Sequence, residues 1–217
     1  MIIILRSNIK IANPQEVILR YYSTMGRGVH LYDQTVIPQD NTFTSEQMER
    51  IKRLVNGLGE RGIPHSAIST LNHRRTEIEN RLRQVPATVN IIDDCSVIPW
   101  GDIGHLIDSM RVPYLGLARL TKILHKKRPN IIPILDSVMV GYLQPFISRE
   151  EIVGASDAGR AICYIRELKK DIDNNREALT KLYDWAGKPY PITIIRILDI
   201  LTWCTLGPFR SRFADLN

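Results

Sequence analysis

RVPYLGLARLTKILHKKRPNIIPILDSVMVG, Arg111 to Gly141, is the stretch whose reading decides the fold. It opens on a tight turn, Val112-Pro113-Tyr114-Leu115-Gly116. A helical period follows, with Leu117, Leu120, Ile123 and Leu124 on one face. A basic run, His125-Lys126-Lys127-Arg128, comes next and stops at Pro129. The apolar segment Ile131 to Leu135 then delivers one carboxylate, Asp136.

Two pieces of this stretch carry chemistry. A helix beginning at the turn leaves unpaired N–H groups near Gly116, Leu117 and Ala118, and unpaired donors together with the helix dipole favour an anion. Gly116 has no Cβ, so a phosphate can approach its backbone closely. Asp136 ends an apolar run, which predicts partial desolvation and a plausible catalytic group. Bland readings stand beside these. Asp136 before Ser137-Val138-Met139-Val140 is also an ordinary helix N-cap, and a lone basic run is usually a solvated face. Capping and catalysis are compatible.

The segment resembles the helix–hairpin–helix DNA glycosylases, the base-excision superfamily that includes endonuclease III and the adenine-specific MutY enzymes. Their hairpin reads apolar residue, Pro, Gly, apolar residue, Gly, with an invariant Asp downstream. Here Asp136 lies 20 residues past Gly116 and is followed by Ser137-Val138. Tyr114 stands where the family has its first hairpin glycine, and Ala118 where bifunctional members carry a Schiff-base lysine. The matching motifs span about thirty residues.

The resemblance implies an all-α, two-lobed fold with a cleft between lobes. Residues 41–132 would form one helical lobe ending in the hairpin, and residues 1–40 plus 133–217 the second. It implies a monofunctional enzyme that flips a modified or damaged base, hydrolyses its N-glycosidic bond and leaves an abasic site. Asp136 would be catalytic. Gly116, Leu117, Ala118, Lys122, Lys126, Lys127 and Arg128 would hold double-stranded DNA through its phosphates. Lys122, one helical turn beyond Ala118, keeps a lyase activity in view. Some compact bacterial glycosylases act in phage defence, and the resemblance extends to that role as a hypothesis: excision of glucosylated hydroxymethylcytosine from phage DNA. Two other classes compete with the enzyme: a non-catalytic helix–hairpin–helix module that binds DNA, and a helical protein-interaction domain.

Candidate walls for a base pocket are Tyr32-Asp33, an aromatic beside a carboxylate, Trp100, which can stack on a base, and His105 beside it. For each, a structural role is the commoner outcome: a loop anchor for Tyr32 and Asp33, core for Trp100, helix surface chemistry for His105.

Composition bounds the choices. The chain has 217 residues, 44% of them hydrophobic, enough to bury a core. Its net charge of +6 and pI near 9.3 favour an acidic partner such as nucleic acid. Cys95, Cys163 and Cys204 are scattered, so neither a disulfide framework, a zinc site nor a four-cysteine iron–sulfur cluster is spelled out; no cofactor or metal is expected, and a reducing cytoplasm fits. Met1 to Leu5 is apolar, but its charge, Arg6, follows the run, which makes a poor signal peptide and a good buried extended start. No stretch has the apolar length of a membrane span.

Elsewhere the patterns are helical. Asn13-Pro14 starts a helix carrying Val17, Ile18, Tyr21 and Tyr22, ended by Gly26 and Gly28. Val29 to Phe43 reads as a loop. Thr44-Ser45-Glu46-Gln47 is a capping box opening a helix with Met48, Ile51, Leu54, Val55 and Leu58 inward, stopped by Gly59. Charged and mixed helices follow from Pro64 and from His73-Arg74-Arg75, and Ile103, Leu106 and Ile107 mark the first arm of the hairpin. After Pro145 come helices around Ala158 to Leu168 and Ala178 to Tyr183, then Gly187, Pro189 and Pro191 as separators. The last helix, Ile192 to Cys204, is apolar nearly all round and belongs mid-lobe, with Arg196 and Asp199 spaced to pair.

Overall fold

The computed structural model describes residues 1–58, 62–186 and 190–216. Among these residues it consists of helices and one small two-stranded sheet. In order the helices are α1 Pro14–Thr24, α2 Arg27–Gln34, α3 Ser45–Asn56, α4 His65–His73, α5 Arg75–Gln84 and α6 Trp100–Ser109. They continue as α7 Leu117–Lys127, α8 Ser137–Leu143, α9 Arg149–Ile152, α10 Asp157–Asn174, α11 Arg176–Ala186 and α12 Ile194–Leu206. Gly59, read as the stop of α3, and Gly187 and Pro189, read as separators before α12, lie outside the described residues. No described helix is long and apolar enough to cross a membrane.

The apolar start is buried and extended, and it is also paired. Strand β1 (Ile3–Leu5) runs antiparallel to β2 (Ile9–Ile11), with Ile3 opposite Ile11 and Leu5 opposite Ile9. Three-residue strands are too short to announce themselves by alternation. The side-chain amide of Asn175 exchanges two 2.8 Å hydrogen bonds with the backbone of Ile4, standing in for a third strand at that point. Arg6, in the turn, ion-pairs with Asp171 at 2.9 Å and with Glu167, tying the sheet to α10.

The α1 pattern is as read, with Val17, Ile18, Tyr21 and Tyr22 buried. The expected loop from Val29 is corrected: α2 occupies its first part and buries Tyr32 and Asp33. Gly28 is not a breaker but a contact, because a Cβ there would stand 1.7 Å from the Gly57 carbonyl oxygen at the end of α3. The capping box of α3 forms, with Thr44 accepting from the Gln47 N–H at 3.2 Å and donating its own N–H to that side chain at 3.4 Å.

The basic run is the largest correction. His125, Lys126, Lys127 and Arg128 are all buried, Lys127 and Arg128 almost completely. They clasp the irregular segment after α2, whose carbonyls have no ladder to join and need donors. Lys126 donates to the carbonyls of Tyr32 and Thr35. Lys127 donates to the Pro38 carbonyl at 2.6 Å and pairs with Asp40 at 2.7 Å. Arg128 donates to the Leu82 carbonyl at 2.7 Å, the Gln39 carbonyl at 3.1 Å and the Val85 carbonyl. His125 Nδ1 bonds the Ile132 carbonyl at 2.7 Å, and burial holds its pKa down to about 3, so the ring is neutral. These cations follow the helix C-terminus, where the dipole favours them, but they face inward and none is left for a phosphate.

The turn before α7 puts a non-glycine residue in a left-handed conformation. Tyr114 sits at φ +67°, the left-handed region glycine favours, with 76% of its surface exposed. Arg119 Nη1 donates to its carbonyl at 2.8 Å. The arms of the turn pack on different neighbours: α6 on α5 and α10, α7 on α3.

Replacing Arg128 with Met should therefore cost about 2–5 kcal/mol, since buried carbonyls lose their donors. Tyr114→Gly should stabilise by about 0.5–1 kcal/mol, the relief of left-handed strain less glycine's entropy cost. Urea unfolding midpoints read both, and a Tyr114→Gly protein less stable than wild type would show that the side chain, not the backbone, holds the turn.

Candidate active site beside Asp136

Asp136 is half-buried at the start of α8. Its Oδ1 accepts from the N–H groups of Val138 and Met139, both at 3.0 Å. The N-cap reading is thus correct, and it uses one oxygen only. Among the described residues nothing donates to Oδ2.

The segment carrying Asp136 runs alongside α7. Thr121 Oγ1 accepts from the Leu135 N–H at 3.0 Å, and His125 holds Ile132 further along the same helix. Asp136 is therefore held near the N-terminal half of α7, and Thr121 is only about 6 Å of helix rise from Leu117. At that end no described residue accepts from the N–H of Gly116, Leu117 or Ala118. Gly116 is exposed, with φ −67° and open space where a Cβ would lie. Its glycine is required by neither conformation nor packing.

Asp136 opens into a cavity of about 180 Å³. Its polar lining is Tyr21, Lys122, Asp136, Arg196, Asp199 and Trp203, and Met25, Val29, Leu58 and Ile134 supply the apolar wall. Tyr21 meets Trp203 edge to face, ring centres 6.1 Å apart. Lys122 is buried here, one turn past Ala118.

Behind the cavity lies a closed ionic network. Arg196 Nε and Nη2 grip Asp33 at 2.8 and 3.1 Å, Nη2 reaches the Tyr21 hydroxyl at 2.9 Å, and Nη1 donates to Asp199 Oδ2. Tyr22 donates to Asp33 at 3.0 Å. Burial opposes the charge on Arg196, but Asp33, Tyr21 and Asp199 outweigh it and its pKa rises further. Asp199 behaves oppositely: burial lifts it to about 7 against the pull of Arg196, with Asp136 and Asp33 adding to the rise. Among the described residues nothing donates to Asp199 Oδ1. Asp136 and Asp199 thus both line the cavity, and each has one oxygen held by a described donor.

The predicted base-pocket residues are not brought together there. Tyr32 is fully buried, its hydroxyl donating to the Lys122 carbonyl at 2.8 Å. Asp33 stands one residue behind the cavity, as the partner of Arg196. Trp100 donates from its indole to the Cys95 carbonyl at 3.0 Å, under Arg166. His105 is exposed beside Arg81, in a different surface depression. Tyr32, Asp33 and Trp100 have structural explanations. Of the predicted phosphate contacts, Lys126, Lys127 and Arg128 are internal staples, whereas Lys122 faces the cavity. Sequence reasoning put Tyr21 on the helical face of α1, paired Asp199 with Arg196 and did not single out Trp203. The usable signal was Arg196, Asp199 and Trp203 at i, i+3 and i+7, one stripe on a mostly apolar helix.

The family DUF6308, described as a family of unknown function, matches residues 36–205. The chain belongs to this family. No curated protein matches the chain, and no solved structure does. The DUF6308 region contains the hairpin, Lys122, Asp136, Arg196, Asp199 and Trp203, while Tyr21 and Asp33 precede it.

Arg196→Met should cost about 3–5 kcal/mol, because Asp33 and Asp199 would be left as uncompensated buried charges. Pairing it with Asp33→Leu should recover a good part of the loss in chemical denaturation. If the double variant is no more stable than the single one, the network is not the source of the cost.

Proposed function

We propose that the protein is a monofunctional DNA N-glycosylase acting on a modified or damaged base. One observation carries this reading: Asp136, with only Oδ1 held by its own helix, lines a cavity beside the N-terminal half of α7, the end that carries the unpaired N–H groups of the turn. A phosphate held at Gly116, Leu117 and Ala118 would anchor the strand, and the nucleotide beside it would be turned out of the stack.

Cleavage of the bond between C1′ and the base passes through a sugar with oxocarbenium character. The Asp136 carboxylate stabilises that positive charge and takes the proton of the attacking water. Asp136 in the wall, with Arg196 already balanced by Asp33, makes this a place for a developing cation. The division into lobes of 41–132 and 1–40 plus 133–217 fits as well: Leu58 and Lys122 line the cavity from the first, Asp136 and α12 from the second. Phosphate attraction falls to Arg74, Arg111 and Arg119, which surround the hairpin turn through the carbonyls of Arg111 and Tyr114. Ala118 offers no amine for a Schiff base, and Lys122 is assigned to orienting the nucleotide.

With purified protein and duplexes carrying damaged or phage-modified bases, abasic sites should appear. Asp136→Asn should retain the helix cap and DNA affinity but lose about 10²–10⁴-fold in rate. Binding should weaken steeply with salt. Borohydride should trap no covalent adduct; trapping that disappears in Lys122→Gln would make the enzyme bifunctional. Salt-sensitive binding without any abasic product, unchanged in Asp136→Asn, would leave a non-catalytic DNA-binding module.

A further inference from the structure

We infer that Asp199 is the second acid of this site, the group that hands a proton to the departing base. The inference rests on the glycosylase reading and adds the half of the reaction that Asp136 cannot perform. Asp199 lies on α12, in the wall shared with Asp136 and Trp203. Its Oδ2 is fixed by Arg196, and Oδ1 is the atom assigned to carry the proton. Trp203, one turn further along α12, and Tyr21 supply aromatic surface for a base beside that proton.

Charges facing Asp199 come from several elements. Arg196 on its own helix and Lys122 on α7 are cationic; Asp136 at the α8 start and Asp33 on α2 are anionic; Tyr21 on α1 and Cys204 on α12 are the remaining titratable neighbours. Burial and the two neighbouring acids outweigh Arg196, so the group stays protonated up to about pH 7. That is where a general acid is effective at neutral pH.

The step balances without any co-reactant beyond water. The C1′–N bond breaks and its electron pair goes to the base, which takes the proton of Asp199 Oδ1. Water adds to C1′ and gives its proton to Asp136. Exchange with solvent then restores both carboxyl groups, and the products are a free base and an abasic sugar.

The dependence on leaving group tests this. Duplexes with 5-fluorouracil, uracil or thymine opposite guanine present pyrimidines of decreasing N1 acidity, hence increasing need for protonation. Asp199→Asn keeps an acceptor for Arg196 and should slow thymine release by about 10²-fold or more, but 5-fluorouracil release by less than about tenfold. The wild-type rate on thymine should fall about tenfold per pH unit above about 7, a limb absent in Asp199→Asn. A structural role would lower all three rates alike and leave the pH profile unmoved. Carbon-13 NMR of the wild-type carboxyls provides a readout besides activity: Asp199 should titrate near neutrality. Titration below about 5, or equal losses on all three probes, overturns the Asp199 role while leaving a glycosylase dependent on Asp136. A wild-type protein that releases no base from these or from damaged and phage-modified duplexes overturns the glycosylase reading, and the Asp199 role with it.

Discussion

A guanidinium inside an apolar helix is the constraint around which the site is built. Arg196 is buried on α12, whose other buried residues are mostly aliphatic. An unpaired charge there would cost several kcal/mol. Asp33, Asp199 and Tyr21 answer it, and in doing so they fix α1, α2 and α12 against one another. The same bonds orient Asp199, which lines the cavity. Asp33 balances the guanidinium, Asp199 stays protonated up to about pH 7, and Asp136 adds a further carboxylate to the wall. Such a wall suits a ligand that becomes positive during reaction and opposes one that arrives negative. In the glycosylase reading proposed above, phosphates would therefore stay outside, at the amides that start α7, and the sugar or base would enter.

How much of this was legible in the residues depends on the length of the pattern. The helices with a sustained 3.6-residue period, α1, α3, α6, α7 and α12, were readable, as were the α3 capping box and the Arg196–Asp199 pairing. The hairpin turn and Asp136 could be found because their chemistry is local. Helix α2 was not legible, since Gly28 looks like punctuation until Gly57 is brought against it by tertiary packing. The short strands gave too few alternations. The cavity itself is assembled from α1, α2, α7, α8 and α12, and no window of sequence contains that juxtaposition.

The basic run shows why a count of charges misleads. Lys126, Lys127 and Arg128 contribute three of the cations behind the net charge of +6, yet each is spent on backbone carbonyls in the interior. Pattern alone could not separate a solvated face from this clasp. The segment after α2 supplied the other half of the evidence: several residues with no periodicity, hence several carbonyls without partners. A long irregular stretch inside a helical protein demands donors, and a cluster of long cationic side chains at a helix end can reach them. Fewer of the cations are therefore available at the surface than composition suggests.

Capping and catalysis are often weighed as rivals for a carboxylate at a helix start, but here the first prepares the second. Two amide bonds to Oδ1 immobilise the Asp136 side chain and leave Oδ2 pointing in a set direction. A group aimed in advance does not have to be oriented at the moment of reaction, which is how preorganised charges lower a barrier. Asp199 is aimed by the same device with a different donor, a guanidinium in place of amides. One acid is half-exposed on a helix end and the other is buried on α12, so the two occupy unlike environments while lining one cavity. Carboxylates housed that differently are suited to opposite ends of a single proton transfer sequence.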